Sequence, residues 1–150
     1  MSRSYISEKL RQQVVNRADF LCEYCLIYEG DTFLGCQVDH IISLKHGGTT
    51  EANNLAFACT YCNRNKGSDL GSISQQIREL VRFFNPRIDR WSEHFQLQGA
   101  RVEPKTPIGE VTAKILGFND PDRILERQSL INVGRYPTTA AQKRINISPE

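Results

Sequence analysis

The chain has 150 residues, the size of one domain with a modest core. Hydrophobic residues make up 39% and charged residues 24%, an ordinary globular balance, and no apolar run approaches the ~18 residues of a membrane span. A formal charge of +2 permits nucleic-acid binding without arguing for it, since only a local patch would do that.

Met1 to Lys9 holds no apolar leader core, which makes a reducing cytosol the default compartment. Ser7 is a good N-cap and Glu8 suits a first helical turn, so the spacing of Leu10 and Val14 predicts a helix over Glu8 to Arg17. Residues 26–31 read as a knuckle and loop, with Gly30-Asp31 as the turn. Phe33 to Ile42 is rich in Phe, Leu, Val and Ile and reads as a strand that Gly35 could bulge. Gly47-Gly48-Thr49-Thr50 is a turn, and Glu51 to Phe57 opens with a short helical turn. Asn63 to Leu70 opens a further helix or a loop that leads to one.

Past residue 70 the pattern changes. Ile77, Leu80, Val81 and Phe84 recur at helical spacing and predict a helix over Ser74 to Phe84, ended by Asn85-Pro86. Trp91 to Glu103 alternates weakly about Gln98-Gly99 and reads as a hairpin. Thr106 with Pro107 caps a helix that ends near Gly117, and Asp120 with Pro121 caps another that ends near Gly134. The fold class is therefore α+β. It divides into a core over residues 1–70 and an extension over 71–150 (helix, hairpin, two helices) that packs on the core without standing alone.

The five cysteines carry the first functional signal. Cys22-Glu-Tyr-Cys25 and Cys59-Thr-Tyr-Cys62 form two C-x-x-C knuckles, and Cys36 stands alone in the strand pattern, where it reads as a small buried hydrophobe. Each knuckle aims two sulfurs at one point, so the pair completes a tetrahedral four-sulfur set suited to a closed, structural Zn²⁺. Two independent redox pairs are the rival reading, and each would need a strand-to-helix context of its own. Positions 26 to 58, 33 residues, loop out between the knuckles.

That loop contains Val38-Asp39-His40-Ile41-Ile42. An acidic residue offers oxygen to a hard divalent cation, and a neighbouring imidazole can titrate near neutral pH. Alone, such a pair in a strand reads as a satisfied structural hydrogen bond. The wider stretch is Val-Asp-His-Ile-Ile-Ser-Leu-Lys-His-Gly-Gly-Thr-Thr-Glu-Ala-Asn-Asn-Leu-Ala-Phe-Ala-Cys-Thr-Tyr-Cys-Asn-Arg-Asn-Lys-Gly, residues 38–67. Preceded by Cys22-x-x-Cys25, it resembles the four-cysteine branch of the HNH nuclease family over roughly residues 7–67.

The resemblance implies a ββα-metal, treble-clef-like core and an endonuclease acting on DNA, with a structural zinc and a catalytic Mg²⁺ or Mn²⁺. His40 matches the first letter and would be the general base. Asn54 matches the middle letter and would brace the loop that orients His40. Asn63 stands where the third letter is often His, making this an HNN variant, and would hold the catalytic cation with Asp39. An oxygen-rich pair favours Mg²⁺ or Mn²⁺ over softer ions. Products would carry 5′-phosphate and 3′-hydroxyl ends.

Lys66 and Arg64 are candidate phosphate contacts against a reading as solvated cations. His46 reads as a loop histidine, and His94 as hairpin packing beside Trp91. Arg82, Arg87, Arg90 and Arg101 are weighed as a DNA-backbone face against a mixed, solvated surface. Residues 84–95 resemble an extension found in bacterial, notably cyanobacterial, HNH proteins. A single site cuts one strand, so a double-strand break would require a homodimer or two events. The competing functional class is a zinc-dependent module that binds nucleic acid without cutting it.

Overall fold

The computed structural model describes residues 5–146; residues 1–4, part of the stretch read for a leader, and 147–150 lie outside the described residues. Helix α1 spans Glu8–Arg17 as its cap predicts: Ser7 Oγ accepts the Leu10 N–H at 3.1 Å, and Glu8 and Arg17 sit at opposite ends of the helix dipole. Its buried residues Val14 and Val15 pack with Leu55 and Phe57 into a small cluster of their own.

The first knuckle is a tight loop in which Cys22 N–H donates to Ile27 O at 2.9 Å. A single helical turn over Glu29–Asp31 follows. Strand β1 covers only Cys36–His40, shorter than the predicted Phe33 to Ile42. The reason is local: Gly35 takes a left-handed φ of 78°, and Phe33 and Leu34 before it are exposed. Strand β2, Leu55–Cys59, pairs antiparallel with β1, setting Leu55 opposite His40 and Cys59 opposite Cys36. Helix α2 follows at once over Thr60–Lys66, three residues earlier than Asn63, because Cys59 itself serves as N-cap. Its Sγ accepts the Cys62 N–H at 3.4 Å. These three elements make the ββα unit, and all five residues of β2 are buried in it.

The helix predicted over Ser74 to Phe84 does not form. The chain instead makes a hairpin of β3, Gly71–Ile73, and β4, Leu80–Arg82. A helix there would have to bury Ile77 and Leu80, yet both are exposed. Ser74 Oγ accepts the N–H groups of Gln76 and Ile77, and Arg78 takes a left-handed φ of 61°, so the chain reverses. A short helix α3, Trp91–His94, then precedes the hairpin of β5, Phe95–Gln98, and β6, Arg101–Pro104; the predicted hairpin is present, with its first four residues helical.

Helix α4, Pro107–Leu116, has the expected Thr106 cap, with Oγ1 accepting the Gly109 N–H at 3.0 Å, and ends on Gly117 at φ 71°. Helix α5 spans Pro121–Asn132, and a further helix not expected from the sequence, α6, Thr139–Ile145, is capped by Thr138 and packs Ala141 into the main core. The main core joins both halves of the chain: Leu21, Ile27, Ala56 and the four paired cysteines pack with Phe84, Phe95, Val102, Leu116 and Phe118. Hydrogen bonds across the junction include those from Trp91 Nε1 to Tyr24 O at 2.8 Å and from Tyr136 Oη to Cys25 O at 2.9 Å. Among the described residues no helix is long and apolar enough to cross a membrane.

Candidate metal centre and active site

Cys22, Cys25, Cys59 and Cys62 are all buried, and their sulfurs lie within 4.8 Å of one another. Each knuckle returns a backbone N–H to its own first sulfur, Cys25 N–H to Cys22 at 3.5 Å and Cys62 N–H to Cys59 at 3.4 Å. Burial pushes the Cys22 and Cys62 thiols well above their ordinary range. Cys25 is equally buried, but hydrogen bonds from the other three thiols and the charge of Arg123 draw it below. Four buried thiols cannot all ionise on their own; a divalent cation in their midst lets them. The donor set is soft, closed and tetrahedral in number, which fits a structural Zn²⁺.

A fifth residue belongs to this cluster and has no counterpart among the sequence motifs. Arg123 of α5 is 3% exposed. Its Nη2 donates to Cys25 Sγ at 3.2 Å and Cys59 Sγ at 3.6 Å, and its Nη1 to Cys62 Sγ at 3.8 Å. Burial works against its charge, but Cys25, Cys62 and Cys59 outweigh burial and raise its pKa. Glu126 Oε1 accepts from its Nε at 2.9 Å, and the remaining guanidinium edge on three sulfurs is favourable where those sulfurs are negative, which agrees with a site built for a cation.

The second group lies at the far end of the ββα unit. Gln37 and Asp39 are two residues apart on β1 and so share a face, the one covered by α2. Asn63 Nδ2 donates to Gln37 Oε1, which leaves Asn63 Oδ1 as the atom available to a cation. Lys66 Nζ lies 3.0 Å from Asp39 Oδ2 and donates to His40 O at 3.0 Å. The contact with Asp39 is an ion pair off the line of a good hydrogen bond. Burial raises the Asp39 pKa, opposed by Lys66 and His40. Lys66 itself is 2% exposed, so it is a buried partner of Asp39 and not the surface cation that a phosphate contact calls for.

His40 ends β1 and is half-buried, with Nε2 2.9 Å from Thr50 Oγ1. Asn54 is buried one layer behind. Its Oδ1 accepts the Ile42 N–H at 2.9 Å, and its Nδ2 donates to Ile42 O at 2.9 Å and Thr49 O at 2.8 Å. One amide thus clamps both ends of the loop between His40 and Thr50. Gly48 is required inside that loop, since a Cβ there would stand 1.7 Å from Ile42 O and 2.8 Å from Asn54 Nδ2.

The remaining candidates fall elsewhere. Arg64 is exposed on the opposite side of α2 from Lys66, with its guanidinium 5.3 Å from the centre of the Tyr61 ring. His46 is exposed in the turn Leu44–His46. His94 packs edge-on to Phe84 at 6.0 Å, with Nδ1 2.7 Å from Thr106 Oγ1, and burial lowers its pKa. Arg82, Arg87, Arg90 and Arg101 do not make a free cationic face: each has a carboxylate close by, respectively Asp89, Glu23, Glu93 and Glu103. Arg87 instead works with Arg17 and Glu23 to cap the outer edge of β2. Both guanidiniums donate to Leu55 O, at 3.1 and 2.7 Å, and Glu23 Oε1 accepts the Phe57 N–H at 2.9 Å.

A search of curated proteins finds no match. The family model described as HNH endonuclease matches residues 22–69, a span that runs from the first zinc-type knuckle through Asp39, His40, Asn54 and Asn63 to just past α2. Residues 22–69 are therefore similar to the HNH endonuclease family, and the four cysteines within them are placed to hold a metal ion.

Proposed function

We propose that the chain is a metal-dependent endonuclease that hydrolyses phosphodiester bonds of DNA, with His40 as general base and Asp39 and Asn63 as ligands of a catalytic Mg²⁺ or Mn²⁺. The observation that supports this reading is that α2 meets the Gln37 and Asp39 face of β1 through Asn63 and Lys66, beside a histidine held at the strand end. Both ligand atoms are oxygens, which fits a hard divalent ion. Such an ion supplies charge stabilisation to the scissile phosphate and the departing 3′ oxygen.

The chain's own residues divide the work. Thr50 fixes the imidazole by its Nε2. In the neutral tautomer with hydrogen on Nε2, that nitrogen donates to Thr50 Oγ1 and Nδ1 keeps its lone pair for the proton of the attacking water. Asn54 holds the loop that carries Thr50, and Lys66 ties the Asp39 side chain to the His40 backbone. Water attacks in line with the 3′ oxygen, so the products carry 5′-phosphate and 3′-hydroxyl ends. The four-cysteine zinc touches no substrate in this scheme; it holds the segments bearing the ligands in register. A double-strand break takes two such events or a second copy of the chain.

The test is cleavage of supercoiled plasmid in Mg²⁺ or Mn²⁺. Wild type should nick it, and a DNA ligase should reseal the nicks because their ends are 5′-phosphate and 3′-hydroxyl. His40→Ala should cut roughly 10²- to 10⁴-fold more slowly, the usual contribution of a general base. DNA binding without cutting in either metal would favour the non-catalytic binding module. Equal cutting by both proteins would remove His40 as the base.

A further inference from the structure

A tetrathiolate zinc centre carries four negative charges against two positive, a net charge of about −2 in a buried place. Something must offset that charge. Among the described residues one cation lies on the sulfurs: Arg123, 61 positions beyond Cys62 and outside the matched HNH segment.

Its guanidinium is held on three sides. Nε donates to Glu126 Oε1 at 2.9 Å on the same helix. One face lies over the Tyr61 ring, 5.0 Å from its centre, and Tyr61 sits inside the second knuckle. The two Nη groups reach Cys25, Cys59 and Cys62. Charged N–H···S bonds of this kind withdraw electron density from thiolates and lower their reactivity toward protons, oxidants and competing metals. The ion pair with Glu126 and the Tyr61 ring hold one edge and one face of the guanidinium, and its other edge is aimed at the sulfurs.

We propose that Arg123 is a working part of the zinc centre: it supplies counter-charge to the tetrathiolate and sets how fast the ion is lost. Helix α5 then serves the metal site directly, and an HNH segment cut off after residue 69 would hold its zinc poorly. Cys22, which Arg123 does not reach, is the least protected ligand.

The experiment uses the full chain and reads zinc release to a chromophoric chelator, together with the sulfur-to-cobalt charge-transfer band of the Co²⁺-substituted protein. Arg123→Gln and Arg123→Met should release zinc roughly 10- to 100-fold faster than wild type, the usual effect of losing an outer partner of a metal ligand. Their charge-transfer band should move to lower energy as the sulfurs become richer in electrons. Arg123→Lys keeps the charge without the fork and should fall between. Arg127→Gln is the control. Arg127 lies one turn further along α5, is equally buried, and donates to Ala100 O and Phe118 O with no sulfur in reach. That variant should loosen the fold while leaving the cobalt band in place. Release at the wild-type rate by folded Arg123→Gln or Arg123→Met would overturn the proposal. So would equal acceleration and an equal band shift in Arg127→Gln. Wild type purified without stoichiometric zinc would remove the zinc reading, and the proposal with it, while leaving the HNH nuclease reading to its own assay.

Discussion

At the residue scale, Lys66 is the side chain on which the candidate active site turns. Its ammonium is buried against Asp39 and the carbonyl of His40, joining the proposed cation ligand to the proposed base. Removing one partner of a buried pair strands the other. Lys66→Met should cost about 3–5 kcal/mol in urea unfolding, because Asp39 is left as an uncompensated buried carboxylate. A change within a few tenths of a kcal/mol would show that Lys66 is a spectator. His40, Asp39, Asn54 and Asn63 are legible in the sequence because their order and spacing lie within one short segment. The buried state of Lys66 is not, since a lysine after Asn63 looks the same on paper whether it faces solvent or Asp39. Thr50 and Gln37, which orient His40 and Asn63, carry no signature of their own.

At the scale of elements, caps decide what can be read. Ser7 and Thr106 accept the N–H groups their positions promise, and α1 and α4 follow. The hairpin of β3 and β4 is hidden in the sequence because its turn is fixed from a distance. Ser74 Oγ donates to Glu110 Oε1 at 2.7 Å, and Glu110 Oε2 accepts the Gln75 N–H at 2.7 Å, from a helix 35 positions away. Helical spacing in residues 77–84 cannot reveal that contact. A second, local clamp follows β4. Asp89 accepts both Nη groups of Arg82, at 2.7 and 3.0 Å, and the Asn85 N–H at 2.8 Å. Burial raises the Asp89 pKa, but these donors outweigh it and hold the carboxyl below its ordinary value. A carboxyl depressed in the folded state contributes stability that is present above its unfolded pKa, about 3.9, and is lost as pH falls through the folded value. Asp89→Asn should therefore be less stable than wild type at neutral pH, with the gap closing below about pH 3.9. A gap that is constant with pH would contradict the ionised clamp.

At the scale of the whole molecule, the zinc-type centre and the C-terminal half share one core. The single tryptophan, Trp91, reports on that union, because it is buried in the second half and donates to Tyr24 O between Cys22 and Cys25. Stripping zinc with a strong chelator should shift Trp91 emission to longer wavelength and lower the stability of the whole chain in one transition. Unchanged emission in a zinc-free protein would mean that the two halves hold together without the ion. The knuckles themselves are plain in the sequence, since four cysteines in two C-x-x-C pairs leave few alternatives. Arg123 is invisible there, because a lone arginine in a helix beginning Pro-Asp-Arg says nothing about sulfurs that only folding brings to it.

The proposed mechanism divides labour between two ions: zinc would hold the fold, and a second cation at Asp39 and Asn63 would work with His40. The direct measurement is plasmid cleavage by zinc-replete protein as Mg²⁺ or Mn²⁺ is titrated in, for wild type, Asp39→Asn and His40→Ala. Wild type should show no cutting without the second ion and a saturable rise with it. Asp39→Asn should need far more metal, and His40→Ala should stay nearly flat throughout with its zinc retained. Full-rate cutting by wild type with zinc alone, or by His40→Ala at any metal concentration, would contradict it.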